Sequence, residues 1–549
     1  MKPVHQSKDL FRGAFILTIA ALIVKILSAV YRIPFQNIVG DVGFYIYQQV
    51  YPFYGMAVVL ATTGFPVVIS KLYAEVRERG EPEGEERLLV ISFLFLQLLG
   101  FFCFIILFAG ADEIAIWMHD RQLAVIIKVV SFVFLLFPII SLLRGYYQGI
   151  GNMIPTAVSQ VGEQTLRVFT ILLLALVFTK KGYSLYLVGG GAMFGSITGS
   201  FLSILILFTF LSGHRKGWKG KIFTKKIFRN AVKDSGWIIK ALIFQGIAIC
   251  LSGMLMIFLQ IADSLSLYSA LVASGVEKEA AKSLKGIYDR AQPLIQLGTV
   301  AATSMSLSLV PLITSERLKK KPEFLEHNIK LSMRSSLVLG IGAAAGLWAI
   351  MTQANTMLFE NDLGSDVLRV LGSVILFSSI ISTITAIMQG MGYVKYPAVI
   401  IVLGFPLKYY FNLFLVPVLG TMGAAVSTVF TVIIISGLLS VKLKKELSFP
   451  LFTRNFWFII ISAALAMMLF LKGYLWLMSY LINGQFGTNR FSAAFLALSA
   501  VFLGGGLYLA IIIRGKVFSE EDLTLFPFGS KLALFLPHQD RSRNNGKEN

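Results

Sequence analysis

Apolar runs long enough to cross a bilayer recur from Leu10 almost to the end of this 549-residue chain. A helix needs about 20 such residues to span the hydrocarbon core. No water is present there to satisfy exposed backbone groups, so runs of this length must fold as helices. Composition agrees: 14% of the residues are charged and 45 are Phe, where a soluble domain carries about 25% charge. A soluble enzyme on a single anchor, a disordered chain and a fibrous protein are all excluded.

Cutting the chain at its charged loops predicts about fourteen spans. They fall near residues 10–33, 44–70, 88–110, 123–147, 156–179, 184–211, 236–260, 290–313, 330–352, 366–391, 396–417, 419–441, 455–479 and 491–513. With the N-terminus inside, the cytoplasmic segments hold roughly 33 Lys and Arg and the external ones roughly 8. Both termini are therefore expected in the cytoplasm. The start of the chain, with Lys2, Lys8 and Arg12 before a long apolar run, lacks a small-residue cleavage site and reads as an uncleaved first helix. The net charge of +20 reads as positive-inside bias, since a nucleic-acid binder gathers its basic residues on one soluble face. No nucleic-acid partner is expected. Segment 221–237 is an ordinary basic loop or, alternatively, an amphipathic helix holding anionic membrane lipids on the inner leaflet.

The sequence repeats itself. Ile139-Ile140-Ser141 and Gln148-Gly149-Ile150-Gly151 recur as Ile380-Ile381-Ser382 and Gln389-Gly390-Met391-Gly392, shifted by 241 residues. The same shift carries Tyr47, Pro52, Ala61 and Thr62 onto Tyr288, Pro293, Ala302 and Thr303, and Leu166-Arg167 onto Leu407-Lys408. A slightly smaller shift matches Gly191-Ala192 with Gly423-Ala424. The expected fold is an all-α polytopic membrane protein with two parallel six-helix repeats and two extra C-terminal helices. Its parts are an N-lobe at 1–212, a basic cytoplasmic linker at 213–235, a C-lobe at 236–443, spans 13 and 14 at 444–514, and a cytoplasmic tail at 515–549. Secondary transporters built from such repeats bind substrate near mid-membrane between the halves.

Charges inside the spans are the candidate functional residues, because a Lys or Arg at the bilayer centre costs about 2.5–3.5 kcal/mol on insertion scales. Lys25 and Arg32 lie seven residues apart in span 1 and share a helical face. Arg167 in span 5 and its repeat mate Lys408 in span 11 each sit about 16 Å into their helices. Arg290 opens span 8. Acids are scarce at depth: Glu163, one turn before Arg167, is placed to neutralise it. Asp263 falls at or beyond the outer end of span 7, and nothing obvious pairs Lys25 or Lys408. The cations either line a polar cavity suited to an anion, phosphate being the usual partner, or are structural pairs and snorkelling side chains. Gly191, Gly195 and Gly199, spaced by four, read as a helix-packing stripe.

Catalytic and metal chemistry find no support. Cys103 and Cys250 both lie in apolar runs, the five histidines are scattered, and no nucleophile set, Walker motif or acid–base carboxylate pair is present. No cofactor, no metal and no enzymatic activity are expected.

The stretch Lys25-Ile26-Leu27-Ser28-Ala29-Val30-Tyr31-Arg32, followed by Val39-Gly40-Asp41-Val42-Gly43-Phe44-Tyr45, resembles the opening of the stage V sporulation protein B-like polysaccharide transporters. So do Gly64-Phe65-Pro66, Ser70-Lys71, Gln148-Gly149 and the 302–311 stretch of span 8. These transporters are related to the MurJ-like lipid II flippases of the multidrug/oligosaccharidyl-lipid/polysaccharide exporter superfamily. The resemblance implies two six-helix lobes around a central cavity, with helices 13 and 14 bordering a groove for a lipid tail. It implies alternating access that carries an undecaprenyl-diphosphate-linked oligosaccharide from the inner to the outer leaflet of a bacterial cell membrane. It also implies cavity-facing basic residues in helices 1, 2 and 8. Lys25, Arg32 and Arg290 match the first and last of these helices, while Tyr45, Tyr47, Gln48 and Gln49 occupy the helix 2 region. Lys25, Arg32 and Arg290, with Arg167, Lys408 and Glu163, make up the expected substrate-binding set. The rival readings are a cation-coupled multidrug exporter, which needs a buried acid in helix 1 or 7, and a membrane glycosyltransferase or polymerase, which needs external carboxylates.

Overall fold

The computed structural model describes residues 3–213, 236–300, 322–482 and 489–524. Among these residues every regular element is helical. Twelve helices are long and apolar enough to cross a membrane. Ten match single expected spans, from Pro82–Ala109 to Arg490–Arg514. The linker residues 214–235, the part of span 8 from residue 301 onward and the tail beyond 524 lie outside the described residues.

The differences from the expected spans concern how helices are joined and broken. Spans 1 and 2 belong to one apolar stretch, Phe15–Glu78, in which the helical conformation is interrupted at Gly40, at φ 70° and ψ −177°. A connection of one residue requires this backbone state, which glycine adopts without steric cost. Span 7 is longer than expected. Helices Gly236–Ala241 and Ile247–Ser252 flank a π-helical turn, Leu242–Gly246, and after a break at Gly253 and Met254 the chain continues as Leu255–Ala273. Asp263 is consequently inside that helix and only 3% exposed, not beyond its end. A second π turn, Leu60–Gly64, precedes the helix Phe65–Glu78.

The chain packs as two compact units. One comprises Met1–Val300 with Gly392–Leu439, the other Ala301–Met391 with Ser440–Asn549. In the first, the glycine stripe of Leu185–Gly213 lies on the helix Ile154–Lys180: a Cβ at Gly195 would meet the Arg167 carbonyl at 3.0 Å, and one at Gly199 the Glu163 carbonyl at 2.6 Å. Small residues here let two backbones approach closely, as membrane helices without a hydrophobic drive require. In the second unit, helices Pro322–Phe359, Arg454–Ile482 and Arg490–Arg514 share an apolar core that includes Val338, Ile350, Ile460, Met467, Ala500 and Tyr508. The Tyr508 hydroxyl donates to the Val338 carbonyl at 2.8 Å. An apolar recess of about 470 Å³ in this unit is lined by Ala345, Trp348, Leu465, Met468 and Leu469, with the Lys472 ammonium 4.7 Å from the Trp348 ring centre.

Candidate functional site: buried cations with and without counter-charges

Among the described residues, six basic side chains of the first unit are almost fully buried: Arg32, Arg144, Arg167, Lys285, Arg290 and Lys408. An uncompensated ion in a low-dielectric interior costs several kcal/mol, so what each one touches decides what it does.

Four have carboxylate partners. Arg144 Nη2 donates to Glu163 Oε2 at 2.8 Å and to Ser203 Oγ at 2.9 Å, while its Nε donates to Ser159 Oγ at 3.0 Å. Glu163 therefore serves Arg144 and not Arg167, as its spacing had suggested. A carboxylate one turn away along a helix is outcompeted by a guanidinium that reaches it head-on from a neighbouring helix. Arg290 grips Asp41 with both ends: Nη2 lies 2.7 and 2.9 Å from the two carboxylate oxygens and Nε 3.1 Å from Oδ1. Asp41 follows the Gly40 break, and Gly286 permits the approach, since a Cβ there would sit 2.0 Å from the Asp41 carbonyl oxygen. Lys285 pairs with Asp289 at 2.9 Å. Lys408, which seemed partnerless, donates to Asp263 Oδ2 at 2.6 Å, to Thr428 Oγ1 at 2.6 Å and to Tyr288 Oη at 3.3 Å.

Arg32 and Arg167 are different. Among the described residues neither forms an ion pair with a carboxylate; both are held by tyrosines. Arg167 Nη2 donates to Tyr47 Oη at 2.9 Å and to Tyr31 Oη at 3.1 Å. Its Nε donates to Ser196 Oγ and its Nη1 to Gln164 Oε1, each at 3.2 Å. The guanidinium also lies 4.0 Å from the Tyr54 ring centre. Arg32 stacks on Tyr51 at 4.2 Å, a ring whose centre is 5.7 Å from the Arg167 guanidinium. Arg32, one residue from the end of expected span 1, is 2% exposed. Cation–π contacts offset part of the burial cost but leave the charge in place. Two donors of the cluster, Arg32 Nε and Gln164 Nε2, find no acceptor among the described residues. The cluster carries two positive charges, spare N–H groups and phenol hydroxyls, the chemistry of an anion site.

Of the residues singled out in the sequence, Arg32 and Arg167 come together around shared tyrosines. Glu163, Arg290 and Lys408 fall in three separate ion pairs. Lys25 is half-buried, and its backbone carbonyl accepts from Gln296 Nε2 at 3.4 Å. The sequence reading missed Arg144, Asp41 and the tyrosines at 31, 51 and 54. A signal existed for Tyr47, which recurs with Tyr288 in the internal repeat beside the Arg167–Lys408 match. In the helix 2 region, which has no basic residue of its own, Tyr47 accepts from the Arg167 guanidinium of span 5.

A family model described as polysaccharide biosynthesis protein matches residues 10–316. The chain is 43% identical over 538 residues to the uncharacterized membrane protein YabM of Bacillus subtilis (strain 168), covering 98% of each. It is 26% identical to the lipid II flippase MurJ of the same organism, over 92% of this chain and 95% of that one. Among solved structures, the lipid II flippase MurJ in an inward closed conformation superposes with a TM-score of 0.61 at 16% identity, covering 91% of this chain and 97% of the other.

Proposed function

This chain belongs to the polysaccharide biosynthesis protein family, and from that premise we propose that it is a flippase for an anionic, lipid-linked oligosaccharide. It is a multi-pass membrane protein with twelve candidate spans among its described residues. In this reading it sits in a bacterial cell membrane with both termini in the cytoplasm. It moves an undecaprenyl-diphosphate-linked sugar, lipid II or another polysaccharide precursor, from the inner to the outer leaflet by alternating access.

The observation that carries the reading is the Arg32–Arg167 cluster, two buried guanidiniums held by tyrosines and hydroxyls with N–H groups to spare. A diphosphate supplies the missing acceptors and the missing charge, and guanidinium takes it bidentately. Lys25, about two turns before Arg32, adds a third cation on the same side of span 1. Arg290, Glu163 and Lys408 join the substrate only where their present partners release them. The apolar recess beside Trp348 suits an isoprenoid tail, with Lys472 at its edge. An inside-negative potential assists outward movement of an anion by about 2.3 kcal/mol per charge per 100 mV.

The test is replacement in cells depleted of their own lipid II flippase, with an externally added enzyme that cleaves lipid II exposed on the outer leaflet. Restored cleavage that is lost in Arg167→Ala at normal membrane level is the expected result. Full activity of Arg167→Ala and Arg32→Ala would overturn the assignment of the anion site. Failure of the wild-type chain with lipid II, alongside success with another diphosphate-linked glycolipid, would move the substrate and leave the site standing.

A further inference from the structure

Asp263 lies inside the span 7 helix Leu255–Ala273 and is only 3% exposed, and an ionisable residue at such a place is a candidate for an ion path. Its surroundings are rich in oxygen. Tyr288 Oη lies 3.1 Å from Oδ2, Asn412 Nδ2 donates to Oδ1 at 2.9 Å and to Ser266 Oγ at 2.9 Å, and Thr428 Oγ1 stands 3.0 Å from Tyr288 Oη. Asn412 Oδ1 is a buried acceptor with no partner among the described residues. Carboxylate, hydroxyl and amide oxygens from separate helices are the ligand set of a hard cation.

The middle of that set is taken by the chain itself. Lys408 is 1% exposed, and an ammonium has three donors and no acceptor. All three are used, on Asp263, Thr428 and Tyr288. The neighbouring Lys285–Asp289 pair is neutral on its own, which leaves Lys408 as the charge balancing Asp263.

We propose that Lys408 is a tethered counter-ion that fills a cation seat built around Asp263, so that the protein binds no coupling Na⁺ or K⁺ there and transports without one. Removing the ammonium uncovers a site for a monovalent cation: Asp263, Tyr288, Thr428 and Asn412 remain, with a net negative charge. The inference deepens the flippase reading and depends on it only for transport; the occupancy of the seat is independent of the substrate.

The experiment is thermal melting of the purified full-length protein in NaCl, KCl and choline chloride at equal ionic strength, paired with outward lipid movement in cells or vesicles in the same salts. Wild-type melting should agree among the three salts to within about 1 °C, and transport should be equal. Lys408→Ala should melt lower in choline and recover by at least about 3 °C in Na⁺ or K⁺. The double variant Lys408→Ala/Asp263→Asn should lose that recovery. A cation-dependent rise in wild-type melting, or cation-dependent wild-type transport, overturns the proposal, and that arm stands even where Lys408→Ala fails to accumulate. A folded Lys408→Ala that ignores Na⁺ and K⁺ overturns it as well. Absence of transport in every salt, with the melting pattern as expected, counts against the choice of lipid and supports the filled seat.

Discussion

The Arg167 and Lys408 clusters are one frame built twice. In each, a basic residue from the fifth helix of a repeat donates to a tyrosine, Tyr47 at 2.9 Å or Tyr288 at 3.3 Å, and the same shift of 241 residues relates both members of the pair. Each also donates to a hydroxyl, Ser196 at 3.2 Å or Thr428 at 2.6 Å. These two are related by the smaller shift that carries Gly191 onto Gly423. Two substitutions separate the clusters, one of them a change of charge. Where the second repeat has Asp263, the first has Leu22, and where the second has Asn412, the first has Ile171. The second repeat is thereby a closed ion pair with every ammonium donor used, and the first is left with positive charge. The two copies keep the same hydrogen-bond frame, and under the proposed function one is a brace and the other a receptor for negative charge.

The comparison can be broken most sharply at its centre. Arg167→Ala should reduce lipid movement by at least about 100-fold, the equivalent of a strong charge-assisted hydrogen bond, while protein level and melting stay close to wild type. Loss of folding with it would make the first cluster a brace like the second. Asp263→Ala should do the reverse, destabilising by about 3–5 kcal/mol because it strands a buried ammonium, which denaturation or loss of membrane level would reveal. Next in size comes Gly199→Ala. Its added methyl would press on the Glu163 carbonyl at 2.6 Å and on the Arg167 Cβ at 3.0 Å, at a cost of about 1–3 kcal/mol, and transport should fall with stability as the first cluster is displaced. The smallest effects come from the matched pair Tyr47→Phe and Tyr288→Phe, each removing one hydroxyl worth about 1 kcal/mol. Tyr47→Phe should appear in transport and Tyr288→Phe in melting; the opposite assignment would exchange the roles of the two clusters.

Much of this architecture was legible in the sequence, and the reasons it stopped where it did are physical. Hydropathy located the ten simple spans because burial in lipid demands a continuous apolar run. The repeat singled out Arg167 and Lys408 together because one offset governs both. Partners were another matter. Asp41 reaches Arg290 across 249 positions of sequence and Asp263 reaches Lys408 across 145, and no local spacing records either meeting. The local rule even misled at Glu163, where Arg144 arrives from the preceding helix. Asp263 was misplaced because a break of two residues, Gly253 and Met254, does not interrupt the hydropathy of span 7. The roles of Tyr31, Tyr51 and Tyr54 escaped notice because an aromatic residue in a membrane helix looks like lipid-facing bulk until a guanidinium is seen against it.

The two π turns among the described residues, Leu60–Gly64 and Leu242–Gly246, have a mechanical meaning of their own. They touch neighbouring helices through their glycines: a Cβ at Gly64 would sit 2.0 Å from Cys250 Sγ, and one at Gly246 would sit 2.7 Å from the Phe65 ring. A π turn stores one residue more than an α turn of the same hydrogen-bonded length. Releasing that residue into α register lengthens a helix by about 1.5 Å and swings everything beyond it by about 100°. Each turn therefore holds one spare residue at a point where the chain meets its neighbour through a glycine, so the direction of the helix beyond it depends on that residue staying stored.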